Sequence, residues 1–224
     1  MLNFEKPIYK ITEYIENNNF GKFELEPLER GFGTTIGNAL RRVMLSSMPG
    51  SAIVAIRIDG VMHEFQTIDG IVEDVTTIVL NLKNVVVKNL TEETKELHLS
   101  VSEEGVVTAG DIKTDSDVEI INKDQVIATI SKGGKLDMDL IVSNGYVPSV
   151  DNKKFIEGNK IGFIPIDALY SPVERVSYEM ENARVGQDAN YDKLIMNVQT
   201  NGSLKPEEAM ALASKILIEH LNII

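Results

Sequence analysis

The sequence predicts an α+β fold in which antiparallel strands outnumber helices. Apolar and polar residues alternate with a period of two in many short runs. Turn-forming pairs such as Glu104-Gly105, Asn144-Gly145 and Asn201-Gly202 punctuate those runs. Three other segments have apolar residues at helical spacing, and strands separate the first of them from the last. A β-rich insertion between the halves of a helix-bearing domain explains this order.

The predicted strands follow from the alternation and from the turn residues at their ends. Phe20–Glu26 is expected to stop at Pro27, because proline cannot donate a ladder hydrogen bond. Asp59-Gly60 is a hairpin signal between Ala52–Ile58 and Val61–Gln66. The other predicted strands are Val85–Val87, Leu97–Val101, Val118–Ile121, Val126–Ile130, Leu136–Val142, Ile161–Ile166, Arg175–Met180 and Lys193–Gln199. The predicted connections include a turn at Lys132–Lys135 and loops at Asp151–Asn159 and Val185–Asp192.

Three helices are predicted from apolar spacing and capping residues. The first covers Thr35–Ser47, behind a threonine that can cap it. The second covers Asp69–Leu82, with Asp69 as its N-cap. The third begins at Pro206, because proline suits the first position of a helix.

The third helix is too apolar for one buried face. A surface helix needs an apolar stripe of roughly 100°. Its stripe and the residues that widen it are Ala209, Met210, Leu212, Ala213, Ile216, Leu217, Ile218 and Leu221. Either the helix lies deep in its own core, or it packs partly on a second subunit. The final pair Ile223-Ile224 favours an interface or a longer natural chain.

Composition excludes several classes of function. The 34 acidic and 22 basic residues give a net charge of −12, which argues against broad binding of nucleic-acid phosphates. The absence of cysteine excludes disulfides, thiolate zinc sites and cysteine nucleophiles. Apolar runs fall far short of the ~20 residues of a membrane span, and the first ten residues lack a secretory apolar region. We expect a soluble cytoplasmic protein with no membrane association.

Neither a metal site nor a catalytic site is predicted. His63, His98 and His220 lie far apart and form no ligand-spaced pair. The chain has no G-x-S-x-G motif, and its acidic pairs lie in loop or cap contexts. We therefore expect no catalytic residue, no metal and no cofactor in this chain.

A glycine-rich motif, Gly31-Phe-Gly33-Thr-Thr-Ile-Gly37, offers the main alternative. With Asp59 further along to hold a ribose, it resembles a phosphate loop and predicts a nucleotide-binding enzyme. The spacing departs from G-x-G-x-x-G, and hairpins rather than βα units follow it. The other interpretation is that the glycines provide a tight turn and close helix packing.

The distribution of charge is more informative than its total. The 29 residues from Arg30 to Ile58 contain four arginines, no lysine and no acidic residue. Arg41 and Arg42 lie on the polar side of the first predicted helix. Arginine suits bidentate recognition of carboxylates and anchors interfaces. Two interpretations of Arg41 and Arg42 are open. Either they are solvated surface residues, or they form a protein-binding patch on an acidic molecule.

One segment resembles the signature of bacterial RNA polymerase alpha subunits. It runs from Leu25 to Arg42, LEPLERGFGTTIGNALRR, and continues to Leu45-Ser-Ser-Met-Pro-Gly50. Further motifs of that family follow in order along essentially the whole chain. They are Ile58–Phe65, Glu73-Asp74 through Asn81–Lys83, Asp115–Ile120, Tyr170–Val176, Asp192–Leu194 and Thr200–Gly202.

The resemblance implies a non-catalytic scaffold that homodimerises and then nucleates assembly of the large beta and beta-prime subunits. It implies a dimerisation domain from residues 1–50 and 174–224, made of antiparallel sheet and two helices. An inserted β-rich domain would cover residues 51–173. A third possibility is an acidic interaction domain that dimerises without a polymerase.

Carried over by position, the resemblance assigns partner-binding and dimer residues. The positions implied to contact beta or beta-prime are Arg41, Arg42, Leu45, Lys83, Val173, Arg184, Gly186, Gln187 and Asp192. The positions implied to form the dimer interface are Phe32, Ile36, Leu40, Leu212, Ile216 and Leu221.

The sequence departs from the family at two points. A basic stretch of the family is replaced by Val142–Tyr146, so the family's role for that loop is not carried over to this chain. The family's C-terminal DNA-binding domain has no counterpart before Ile224, so no sequence-specific DNA binding is expected of this chain.

Overall fold

The structure is a computed structural model that describes residues 4–16, 19–146 and 161–224. Its contacts divide the chain into two compact units, Met1–Met48 with Ser171–Ile224, and Pro49–Tyr170. Two separate stretches of chain thus build the first unit. The predicted loop at Asp151–Asn159 lies outside the described residues.

The α+β prediction is confirmed, and every strand pair among the described residues is antiparallel. In chain order the elements are β1 (Ile8–Ile15), β2 (Phe20–Glu29), α1 (Phe32–Ser46), β3 (Gly50–Ile58), α2 (Val75–Lys83), β4 (Val87–Asn89), β5 (Lys95–Val101), β6 (Gly105–Thr108), β7 (Val118–Ile120), β8 (Val126–Ile130), β9 (Leu136–Gly145), β10 (Ile164–Pro165), β11 (Val173–Val185), β12 (Asp188–Thr200) and α3 (Pro206–Leu221).

The first unit is an antiparallel sheet with α1 and α3 packed on one face. The strand order is β1-β2-β12-β11, so β2 pairs with a strand from the far stretch of the chain. Leu194, Met196 and Val198 alternate along β12 and are all buried, as the period of a strand requires. They form one core with Phe23 of β2 and Met44 of α1.

The second unit is built on a sheet of order β10-β3-β9-β5, with two smaller ladders, β4-β7 and β6-β8. Its core lies mostly on one face, where Ile56 and Leu140 meet Ile78 of α2. A smaller cluster contains Val54 and Ile141. The adjacent residues Leu140 and Ile141 therefore point to opposite faces, which explains why both are buried.

The prediction that β2 stops before Pro27 is wrong. The register between β2 and β12 shifts between Asp192 and Leu194, so Glu26 and Pro27 together lie opposite the single residue Lys193. This two-against-one arrangement is a β-bulge. A bulge tolerates proline because the extra residue leaves the hydrogen-bond ladder.

Two predictions between β3 and α2 are also wrong. Val61–Gln66 forms turns instead of a strand after Gly60, whose φ is 80°. The second helix begins after Asp74 and not at Asp69, because the Asp74 side chain accepts a hydrogen bond of 2.8 Å from a first-turn backbone N–H. That bond satisfies an N–H group which the helix itself cannot pair.

The predicted loop at Val185–Asp192 is almost entirely strand. β11 and β12 extend to a tight turn formed by Gly186, whose φ is 62°, and Gln187. β1 and β6 were not among the predicted strands. β4 overlaps the predicted strand Val85–Val87 only at Val87, and β10 lies within the predicted strand Ile161–Ile166.

Candidate protein interface

The N-terminus of α1 is capped by a side chain from a distant strand. The helix starts after Gly31, which offers no capping side chain, and its first turn contains no acidic residue. Asp192 Oδ2 of β12 accepts hydrogen bonds from the backbone N–H groups of Gly31 at 2.9 Å and Gly33 at 3.2 Å. A carboxylate in this position satisfies unpaired N–H groups and complements the helix dipole.

The glycines of α1 let the helix lie close to β11 and β12. A Cβ on Gly37 would meet Leu194 and Tyr178 at 2.9 Å, and a Cβ on Gly33 would overlap Met180. Because Asp192 already occupies the helix N-terminus, the Gly31–Gly37 motif offers no free anion site there. The geometry therefore favours the packing interpretation over the nucleotide-binding alternative.

Arg41 and Arg42 are both exposed on α1 but differ in their contacts. Arg41 Nε donates a hydrogen bond of 3.2 Å to the carbonyl of Val176 on β11. The Arg42 guanidinium forms no hydrogen bond or ion pair with any residue that the structure describes. Leu45, on the next turn, is half-buried against the core of the first unit. Arg42 is thus the α1 arginine that is available to a partner.

Arg57 does not share this environment, although it falls within the acid-free stretch of sequence. It belongs to the second unit, where its guanidinium pairs with Asp139 and lies 4.7 Å from the centre of the Phe163 ring. Asp139 Oδ1 is also hydrogen-bonded to His98 Nδ1, at a distance of 2.7 Å. Arg57 is therefore engaged within its own unit, unlike Arg42.

An open apolar groove of about 650 Å³ runs between α1 and α3 and reaches β1. Its lining includes Ile36, Ala39 and Leu40 from α1 and Ile218 and Leu221 from α3. Ile218 is 57% exposed and Leu221 is 65% exposed, which is high for large apolar side chains. Contiguous exposed apolar surface of this kind is typical of sites that bind a protein, a membrane or a ligand.

The structure brings together some of the predicted dimer residues and separates others. Ile36, Leu40 and Leu221 line the groove, although Leu40 is only 5% exposed and belongs mainly to the chain's own core. Leu212 and Ile216 are half-buried against that core. Phe32 is 49% exposed and lines a smaller neighbouring pocket that also contains Ile36.

Several groove residues were missed by sequence reasoning. They are Tyr9, Leu25, Thr35, Ala39, Glu207, Ala211 and Ser214, whereas Met210, Leu217 and Ile218 belong to the apolar stripe predicted on the third helix. Tyr9 stacks on Phe23 with ring centres 5.7 Å apart. Burial, assisted by the negative charge of Glu207, raises the pKa of Tyr9 to about 12. Tyr9 is therefore neutral at physiological pH.

The remaining predicted partner residues lie in both units. Arg184, Gly186 and Gln187 are at or beside the β11–β12 turn, where Arg184 and both turn residues are exposed. Val173, in contrast, is 5% exposed and packs in the core of the first unit. Lys83, at the end of α2, is exposed and lies 3.7 Å from the carboxylate of Asp167.

Within residues 4–16, 19–146 and 161–224, no cluster of three or more histidine, aspartate or glutamate side chains could hold a metal ion. None of the helices in those ranges is long and apolar enough to cross a membrane.

Residues 55–171 match the family model described as the RNA polymerase Rpb3/RpoA insert domain. The DNA-directed RNA polymerase subunit alpha of Oceanobacillus iheyensis is 54% identical to this chain, over an alignment that covers 100% of the chain and 71% of that protein. The subunit of the same name from Macrococcus caseolyticus is 53% identical, with the same coverage.

The fold and the exposed surfaces define a two-unit protein-binding module with a polymerase-type insert domain. The sequence identity and the coverage of the two relatives also establish the family. The chain belongs to the family of bacterial DNA-directed RNA polymerase alpha subunits, and the family resemblance of its motifs is confirmed.

Proposed function

We propose that this chain is the non-catalytic assembly scaffold of a bacterial RNA polymerase. Two copies associate through the groove between α1 and α3, and the dimer then binds the beta and beta-prime subunits. The observation that carries the proposal is the exposed apolar groove on the first unit of a polymerase alpha-family chain. The scaffold works in the cytoplasm.

The two units of the chain have different roles in this proposal. We place the dimerisation domain in the unit formed by Met1–Met48 and Ser171–Ile224 and the insert in Pro49–Tyr170, since Val173 packs in the core of the first unit. Support for a symmetric dimer comes from Phe32, Ile218 and Leu221, which leave large apolar side chains exposed on one unit. A symmetric dimer uses the same patch on both copies, so one groove covers its own counterpart.

The large subunits bind the polar side of α1 and the turn between β11 and β12. Arg42 is the anchor, because its guanidinium is exposed and has no partner among the described residues. Gly186 and Gln187 at the turn, and Lys83 in the insert, provide further contacts. Val173 acts as a core residue that supports the start of β11, since its side chain is buried.

The proposal is tested by separating dimerisation from capture of beta. In Arg42→Ala, sedimentation at micromolar concentration should still give a dimer, while capture of purified beta should weaken by about 30-fold or more, as for an interface anchor. Arg175→Ala, which removes an exposed arginine of β11, is the matched control. Ile218→Glu should give monomers, because it places a charge in the groove.

Two results would contradict the proposal. If the wild-type chain sediments as a monomer, the proposed dimerisation is wrong. If Arg42→Ala captures beta as well as the wild-type chain does, the role proposed for Arg42 is wrong.

A further inference from the structure

Asp192 was assigned by family resemblance to contact with a large subunit, yet its carboxylate faces its own chain. It is half-buried, and the hydrogen bonds from Gly31 and Gly33 engage the same oxygen, Oδ2. A Cβ at Gly33 would lie 3.1 Å from that oxygen. The carboxylate is therefore fitted closely against the start of α1.

The start of α1 depends on this contact to an unusual degree. An aspartate, serine or threonine at the N-cap normally accepts a hydrogen bond from the first turn, and acidic residues in that turn complement the dipole. Here the N-cap is Gly31 and the first turn has no acid. The stretch from Arg30 to Ile58, which contains the whole helix, has no acid either. The compensating charge must come from elsewhere in the fold.

We propose that Asp192 is a positioning residue for partner binding: it caps α1 from β12 and thereby fixes the helix that presents Arg42. The inference rests on the proposed scaffold function. Asp192 lies 161 positions from Gly31, so the cap also ties the β11–β12 hairpin to the helix of the other stretch. A substitution at Asp192 should weaken partner capture through the order of α1, without removal of any contact to the partner.

The test compares Asp192→Ala with Asp188→Ala in the full chain. Asp188 lies on the same strand, is exposed and accepts only a local hydrogen bond from Asn190. In Asp192→Ala, amide hydrogen exchange at Gly31 and Gly33 should accelerate about tenfold, the usual effect of a lost cap. Capture of purified beta should fall in parallel. Asp188→Ala should leave both measurements unchanged.

A second substitution distinguishes a cap from a direct contact. Thr34→Glu places a carboxylate at an exposed position in the first turn of α1. Added to Asp192→Ala, it should slow the amide exchange and recover part of the capture. A residue whose carboxylate contacted beta itself could not be rescued in this way. If Asp192→Ala does not fold, Asp192→Asn provides the same comparison, because its amide oxygen still accepts a weaker hydrogen bond.

Loss of capture with unchanged amide exchange would overturn the inference in favour of a direct contact. Unchanged capture despite faster exchange would also overturn it. Failure of the scaffold function itself is recognised separately, since the wild-type chain would then fail to capture beta or Arg42→Ala would capture it normally.

Discussion

Replacement of Gly37 by alanine tests why α1 carries glycine in its interior. The new Cβ would lie 2.9 Å from Leu194 Cδ1 and 2.9 Å from the Tyr178 ring, whereas carbon atoms prefer about 3.5–4.0 Å. Leu194 is fully buried, so it has little room to move. Overpacking of this kind costs about 1–3 kcal/mol. Alanine regains about 1 kcal/mol in helix propensity. The expected net result is a loss of about 1 kcal/mol.

Urea unfolding followed by circular dichroism measures this change. Asn38→Ala is the control, because the neighbouring residue is exposed and its replacement should stabilise the helix by about 0.5 kcal/mol. Gly37→Val should cost more than alanine, because it adds further methyl groups to the same contact. If Gly37→Ala raises the free energy of unfolding, as at an unconstrained helical position, the close-packing argument is refuted.

Two predictions concern pH. Burial opposes ionisation of Asp139, but hydrogen bonds from His98 and Arg57 outweigh it and lower its pKa. Its contribution to stability is therefore complete above about pH 3.9, the unfolded value, and is lost as pH falls through the folded value. Asp139→Asn should flatten acid unfolding of the second unit; an unchanged acid transition would contradict this. Tyr9, with a pKa of about 12, should contribute stability that is complete below about pH 10 and lost as pH rises toward 12. Tyr9→Phe, compared with Tyr14→Phe, should remove the last phenolate signal of an alkaline titration.

Sequence reasoning located most strands but missed β1, and the reason lies in its register. The pairing of β1 with β2 shifts between Ile11 and Glu13. A bulge there breaks the alternation of apolar and polar residues, which is the signal used to recognise strands. All residues of β1 are also exposed, so burial imposes no clear pattern on them. Tyr9, a groove residue, was missed for the same reason.

The candidate site divides along similar lines. Arg42, Ile36 and Leu221 could be predicted because they lie on helices with clear periodicity or within family motifs. The cap of α1 could not, because Asp192 and Gly31 are brought together by the pairing of β2 with β12. A contact between residues that distant depends on sheet order, which local patterns do not specify.

The split construction of the first unit has a consequence for biosynthesis. Its β2 strand needs β12 as a neighbour, and Ser171 Oγ donates a hydrogen bond of 3.1 Å to the carbonyl of Met44, where the two stretches meet. A chain that emerges from the ribosome in order has completed Pro49–Tyr170 before β12 exists. We expect the inserted unit to fold first. Until β12 has been synthesised, the apolar faces of β2 and α1 remain exposed to solvent. During this interval the nascent chain is most exposed to aggregation and has the greatest need of a chaperone.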